Sequence, residues 1–310
     1  MMCLKVPAVC TSRRNIILSL IAFWGAVELG LVFSFVALGV YLSFRVLDFP
    51  DLTVDGSFPL GAAVTAVLIL AGVNPWLAAL IAMMAGAVAG LVTATLNLRF
   101  GILNLLASIL TMTALFSVNL RVMGKPNVAL INQDTMISPF YGLGVPEYYV
   151  RPLFVGVLVI IAALLVWRFL ESNIGLAMRA TGTNARMARA QGVKTDRQIY
   201  LGMAMSNALV ALGGALFAQT NGFADVTSGV GTIVVGLAAV IIGETLFRTR
   251  FLLWALAGCI IGSILYRIAI QLALGSDFIG LKASDLNLAT AVLVTLALVL
   301  PRLRRGGASK

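Results

Sequence analysis

The 310-residue chain has no histidine, the side chain that most often serves as general base and metal ligand near neutral pH. It has three cysteines, and Cys3, Cys10 and Cys259 are too scattered for a zinc site or a disulfide framework. No Gly-x-x-x-x-Gly-Lys-Ser/Thr run occurs, so the phosphate-gripping loop of a nucleotide hydrolase is missing. Nor is there a nucleophile elbow, which together with the missing histidine argues against an intramembrane enzyme. Charge is scarce: 11% of residues are charged and 60% are hydrophobic, where soluble domains carry about 25% charge. That balance argues against a water-soluble fold.

What the chain has in quantity is apolar sequence in lengths that cross a bilayer. It reads as an all-α integral membrane protein, a polytopic helical bundle of about eight or nine spans. Lys5, Arg13 and Arg14 precede an apolar run that lacks a small-residue cleavage site, so the run reads as retained and not as a signal peptide. Residues 1–27 form a basic extension with room for an interfacial helix, and a break is expected near Glu28 to Gly30. The first membrane segment ends at Leu47, followed by spans at roughly 58–72, 76–98, 101–121, 151–170, 199–220, 230–247, 251–273 and 287–301. Residues 28–302 then make one membrane domain with a polar loop at 172–198, and 303–310 a basic tail.

Lysine and arginine outnumber aspartate and glutamate by 22 to 12. In so apolar a chain that excess reads as cytoplasmic loop charge, with no nucleic-acid partner. It concentrates in 171–198 (Arg179, Arg186, Arg189, Lys194, Arg197), after Phe247 (Arg248, Arg250) and in the tail (Arg302, Arg304, Arg305, Lys310). These segments, Arg99 and the C-terminus are expected on the cytoplasmic side. Residues 122–150, Asp225, and Asp277, Lys282 and Asp285 are expected on the other. Gly86, Gly90, Gly213 and Gly214 read as points of close helix packing.

Two segments stand out. Leu47 to Pro59 holds Asp48, Asp51 and Asp55 with Pro50 and Pro59 between apolar runs. No regular lipid-facing helix accommodates that, leaving a plain loop or a broken element near 48–58 that lines a cavity. The stretch Thr181 to Gly192 reads as a short helix capped by Thr183 or Asn184 and ended by Gly192, with Arg186 and Arg189 on one face. Docking on a soluble partner and simple loop charge are equally open for it.

Thr181 to Gly192, followed by Ser206-Asn207-Ala208-Leu209-Val210-Ala211-Leu212-Gly213-Gly214-Ala215-Leu216, resembles the coupling loop and next helix of ATP-binding-cassette (ABC) importer permeases for branched-chain amino acids and ribose. Leu47 to Ser57, Ala190-Gln191-Gly192-Val193, Gly222-Phe223-Ala224-Asp225-Val226 and Ile241-Ile242-Gly243-Glu244 are similar to the tryptophan/tyrosine permease branch, and the likeness runs from about Glu28 to Arg302. It implies a transport subunit of a bacterial inner-membrane importer that pairs with a second copy of itself. An extracytoplasmic binding protein would deliver the solute. A separate ATPase subunit would hold ATP and Mg, and this chain no cofactor. It implies coupling contacts at Asn184, Arg186, Met187, Arg189 and Gln191, and an aromatic amino acid as solute.

For the solute pathway the residues themselves offer Asp55 with Thr53 and Ser57, where a Gly56-centred break exposes backbone groups. Asn104, Ser108 and Thr111 recur on one helical face, either lining the cavity or bonding within the bundle. Glu244, near the cytoplasmic end of its span, is expected to pair with Arg186 or Arg189 as a transmission element, and Asp225 to act as a gate or docking contact. A sugar or nucleoside would use the same groups. An ion-coupled carrier or channel stays open, with Asp55 and Glu244 as its candidate ion sites.

Overall fold

A computed structural model describes residues 8–131, 133–143, 146–247, 251–275 and 295. The expected span 287–301, the basic tail 303–310, and Lys5, Arg248, Arg250, Asp277, Lys282 and Asp285 lie outside the described residues, Thr295 alone excepted. Among the described residues ten α-helices carry the fold: α1 Ala8–Val40, α2 Val54–Leu70, α3 Pro75–Leu98, α4 Asn104–Met123, α5 Glu147–Glu171, α6 Asn173–Thr183, α7 Ala185–Ala190, α8 Thr195–Asn221, α9 Thr232–Leu246 and α10 Leu252–Gly275. Two three-residue strands, β1 Asn127–Ala129 and β2 Phe223–Asp225, pair antiparallel with Asn127 opposite Asp225. Among the described residues seven helices are long and apolar enough to cross a membrane, and α2 is a shorter apolar helix of 17 residues.

The break expected near Glu28 to Gly30 is absent, and α1 runs through it without interruption. Gly30 is there for closeness: a Cβ on it would meet the Ile264 backbone at 2.8 Å, and its carbonyl accepts hydroxyls from Ser34 at 2.9 Å and Ser263 at 2.7 Å. The true break comes later. The last turns of α1 widen into a π-helical segment, Tyr41–Val46, and Asp48 takes φ +54°, a left-handed conformation that aspartate tolerates better than most residues. Pro50 then brings no amide donor and biases Phe49 toward extended backbone, which stops any helix from continuing.

Helix directions follow from contacts. Ser206 donates to the Gly39 carbonyl while Gly213 lies against Phe35 and Val32, so α1 and α8 are antiparallel. Gly86 and Gly90 of α3 face Asn207 and Met203 of α8, again antiparallel. Ser57 meets Asn207 and Gly61 meets Ala211, so α2 runs parallel to α8. At Gly61, Gly86, Gly90 and Gly214 a side chain would collide with backbone of the facing helix. The glycines therefore set the interhelical distance, the role small residues play where no hydrophobic force joins helices in lipid.

One face of the bundle carries the end of the π-helical segment, the turn between α3 and α4 with Arg99, and α6 and α7 with their arginines. The opposite face carries the α2–α3 turn and the β1–β2 ribbon with Asp225. The relative sidedness of these loops is the one that loop charge predicts. Outward-facing Leu77, Leu80, Met84 and Val88 on α3 and Leu153, Ile160 and Leu165 on α5 are exposed, as lipid contact requires.

Candidate functional site

The three carboxylates of the 47–59 segment occupy three environments. Asp48 is exposed; Asp51 is fully buried; Asp55 is half-buried. Asp51 survives burial because both oxygens are used, one accepting the Thr53 amide at 2.9 Å and the other the Asn207 side-chain amide at 2.8 Å. Asn207 returns the favour to α2 by accepting the Ser57 hydroxyl at 2.7 Å. Thr53 and Thr93 share a 2.8 Å hydroxyl contact. The break is thus a buried polar junction of α2, α3 and α8. It sits at the level of Asn207, about 18 Å along α8 from Thr195 at 1.5 Å per residue.

Asp55 does something different. Its carboxylate accepts the backbone amides of Ile233 at 2.7 Å and Gly231 at 3.3 Å, so it caps the N-terminus of α9 from its own place in the first turn of α2. Two interrupted helices meet there N-terminus to N-terminus, and the positive ends of both dipoles favour the single negative charge. Gly231 takes φ +81° to turn the chain into α9, and Gly229 lies so close to the Asp55 carbonyl that no side chain fits. Asn119 of α4 completes the junction by donating to the Gly56 carbonyl at 3.1 Å, with its own Oδ1 buried and unpartnered.

The α4 residues divide. Asn104 accepts from Asn97 at 2.5 Å across the α3–α4 turn, whereas Ser108 and Thr111 donate back to Leu105 and Ala107 of their own helix at 2.9 and 3.0 Å. The structure therefore puts Thr53 and Ser57 in the junction around Asn207, turns Asp55 to the start of α9, and leaves Asn104 at the other end of α4.

The polar arm between α5 and α8 is two helices and not one. Ser172 caps α6 and Asn184 caps α7, the Asn184 Oδ1 accepting the Met187 amide at 3.0 Å; Gly192 ends the arm at φ +86°. Arg186 and Met187 point outward, Met187 63% exposed, an unusual display for a large apolar side chain next to charge. Gln191 is exposed too. Arg189 is engaged at home, donating to Thr195 at 2.8 Å and pairing with Asp196 at 3.4 Å. Gly182 of α6 presses on the Val46 carbonyl, and Gly202 of α8 on the Leu47 side chain. The arm therefore touches the start of the break directly.

Glu244 does not pair with Arg186 or Arg189; its partner is Arg45 of the π-helical segment. The reason is geometric. α9 runs parallel to the end of α1, so residues 244 and 45 arrive at the same level, while Arg189 is held toward α8.

On the opposite face Asp225 accepts the Thr227 amide at 2.7 Å, the Thr227 hydroxyl at 2.5 Å and the Asn127 side-chain amide at 3.1 Å. Partial burial works against its charge, yet these three donors hold its carboxyl below the ordinary range.

Sequence reading missed Asp51 as a buried hub with Asn207 as its partner, and Asn119, which holds the Gly56 carbonyl. It also missed Arg267, which lies within an apolar span with its guanidinium carbon 3.9 Å from the centre of the Phe33 ring. The signal for Arg267 was available, since a lone arginine inside about 20 apolar residues is rare. Nothing in the spacing pointed to Asn207 as the partner of Asp51, 156 residues away.

The geometry has relatives. The family model described as branched-chain amino acid transport system, permease component, matches residues 24–300. A tyrosine transport system permease protein of Clostridioides difficile (strain R20291) is 37% identical over 85% of this chain and 86% of its own length. An uncharacterized protein of Rickettsia prowazekii (strain Madrid E) is 34% identical over 88% and 95%. Among solved structures, PsaBC from Streptococcus pneumoniae in complex with Fab shares the fold at a TM-score of 0.51, covering 89% of each chain at 15% identity. The chain belongs to the permease-component family of branched-chain amino acid transport systems, and is a multi-pass ABC-type permease.

Proposed function

We propose that this chain is the membrane-spanning subunit of an ATP-driven importer in the bacterial inner membrane, working as a pair with a second copy, and that its solute is an aromatic amino acid. The observation that carries the reading is the α6–α7 arm. It presents Arg186, Met187 and Gln191 at one face of the bundle, and its inner side, through Gly182, bears on Val46 where α1 breaks. A soluble ATPase gripping α7 would move the arm as a lever, and the lever would act on the junction of Asp51, Asp55 and Asn207 near mid-membrane. On this reading the arm face and the C-terminus are cytoplasmic, and a binding protein approaches the β1–β2 face near Asp225. ATP and Mg belong to the partner subunit.

Within the pathway Asp55, flanked in sequence by Thr53 and Ser57, offers the charge that an amino acid's ammonium group seeks. The relative that transports tyrosine supports an aromatic amino acid. The test is reconstitution of the purified chain in liposomes with and without the ATPase encoded beside it. ATP-dependent uptake that requires both chains, in a complex that responds to nucleotide, is the expected result. Uptake by this chain alone along an ion gradient would replace the reading with an ion-coupled carrier.

A further inference from the structure

Arg267 has one buried donor that the rest of the described protein does not satisfy. It stands inside the span Leu252–Leu272 and its Nε is buried without a hydrogen-bond partner. No ion pair among the described residues includes it. The Phe33 ring lies under its guanidinium at 3.9 Å. An aromatic face offsets part of a desolvated cation's charge but provides no carboxylate for its planar fork of donors. An ionisable side chain inside a membrane span marks a pathway or a ligand site by default.

A second, independent observation points the same way. From Phe33 a file of aromatic rings runs toward the β1–β2 face. Phe33 stacks on Phe58 at 5.4 Å, Phe58 lies 5.4 Å from Phe217, and Phe217 meets Phe223 edge-on at 6.0 Å. Phe223, on β2, is 38% exposed, whereas Phe58 is fully buried. The file therefore starts at an accessible surface and ends under the guanidinium. Its contacts are the offset and edge-on geometries that another aromatic ring can enter in exchange.

We propose that Arg267 and the file Phe223, Phe217, Phe58 and Phe33 form a recognition path for an aromatic carboxylate, the ring of the solute stacking among the phenylalanines and its carboxylate reaching Arg267. This rests on the reading of the chain as an importer of aromatic amino acids and assigns the group that reads the acid. The path is closed here, since Phe58 is fully buried, and it opens when the rings part. Phe58 stands one helical turn from Asp55 on α2, so a solute leaving Arg267 meets the Asp55 junction next.

The experiment is equilibrium binding to the purified permease–ATPase complex in lipid nanodiscs, with labelled tyrosine displaced by 3-(4-hydroxyphenyl)propionate, which lacks the amine, and by tyramine, which lacks the carboxylate. The expected result is displacement by the propionate and little by tyramine. Arg267→Gln should lower tyrosine affinity about tenfold or more, the loss of one charge-assisted contact, with partial recovery in Arg267→Lys. Phe217→Leu, a milder variant that leaves the cation in place, should weaken binding of both tyrosine and the propionate. Tyramine competing as well as the propionate, or unchanged tyrosine affinity in a folded Arg267→Gln or in Phe217→Leu, overturns the proposal. A complex that couples ATP to uptake of another solute and binds no aromatic carboxylate overturns it too, while leaving the importer reading intact.

Discussion

Asn207 donates to the buried Asp51 carboxylate at 2.8 Å, and this bond ties the middle of α8 to the break between α1 and α2. The same asparagine accepts from Ser57 at 2.7 Å and donates to the Met203 carbonyl at 3.1 Å, so one side chain fixes the register of α2 against α8. A hydrogen bond to a charged group contributes about 1.5–3 kcal/mol, and leaving its buried partner unsatisfied costs more. Asn207→Leu is therefore expected to lower the melting temperature of the detergent-solubilised protein sharply. Asp51→Leu in the same chain should recover part of the loss. A double-mutant cycle returning less than about 0.5 kcal/mol would show that the pair is not coupled.

Asp55→Asn separates charge from capping. An asparagine Oδ1 still accepts one amide from the start of α9, so most of the cap, about 1 kcal/mol for a typical N-cap, is retained. The negative charge between the two helix N-termini is gone. The expected outcome is a stable chain that assembles normally with its ATPase and transports poorly. Uptake equal to the wild type would make Asp55 a structural cap and nothing more.

Much of this architecture was legible because membrane physics leaves few choices. Spans follow from apolar length, and the relative sidedness of Arg99, Arg186 and Asp225 follows from loop charge and alternation. The proline–aspartate segment announced a broken element because Pro50 and three carboxylates fit no lipid-facing helix. What sequence could not show was which partner each carboxylate finds. Asp55 reaches amides at Gly231 and Ile233 and Glu244 reaches Arg45 only because the chain returns to the same level after more than 150 residues. The continuity of α1 through Gly30 was hidden for a related reason: that glycine looks like a breaker until the facing helix, with Ile264 and Ser263, is in view.

The Asp225 carboxyl is held below its ordinary value, so its contribution to stability is present above the unfolded value, about 3.9, and is lost as pH falls through the lower folded value. Asp225→Asn should be less heat-stable than the wild type near neutral pH, with the difference shrinking as pH drops below about 4. Melting curves of both proteins across that range provide the check. A gap independent of pH would mean that charge at Asp225 does not matter to the β1–β2 ribbon.

Arg186 and Arg189 look equivalent in sequence and are not so in the fold. Arg186 is exposed and free to meet a partner, while Arg189 is tied to Thr195 and Asp196 at the start of α8. Arg186→Glu should lower ATPase docking and coupled uptake with no change in stability beyond about 0.5 kcal/mol, the range of ordinary surface substitutions. Arg189→Glu should in addition loosen the arm, because it sets glutamate against Asp196. Both effects are read by co-elution of the ATPase and by thermal unfolding of the permease alone. If the two variants behave alike in both measurements, the arm acts through its summed charge and not through a fitted α7 surface.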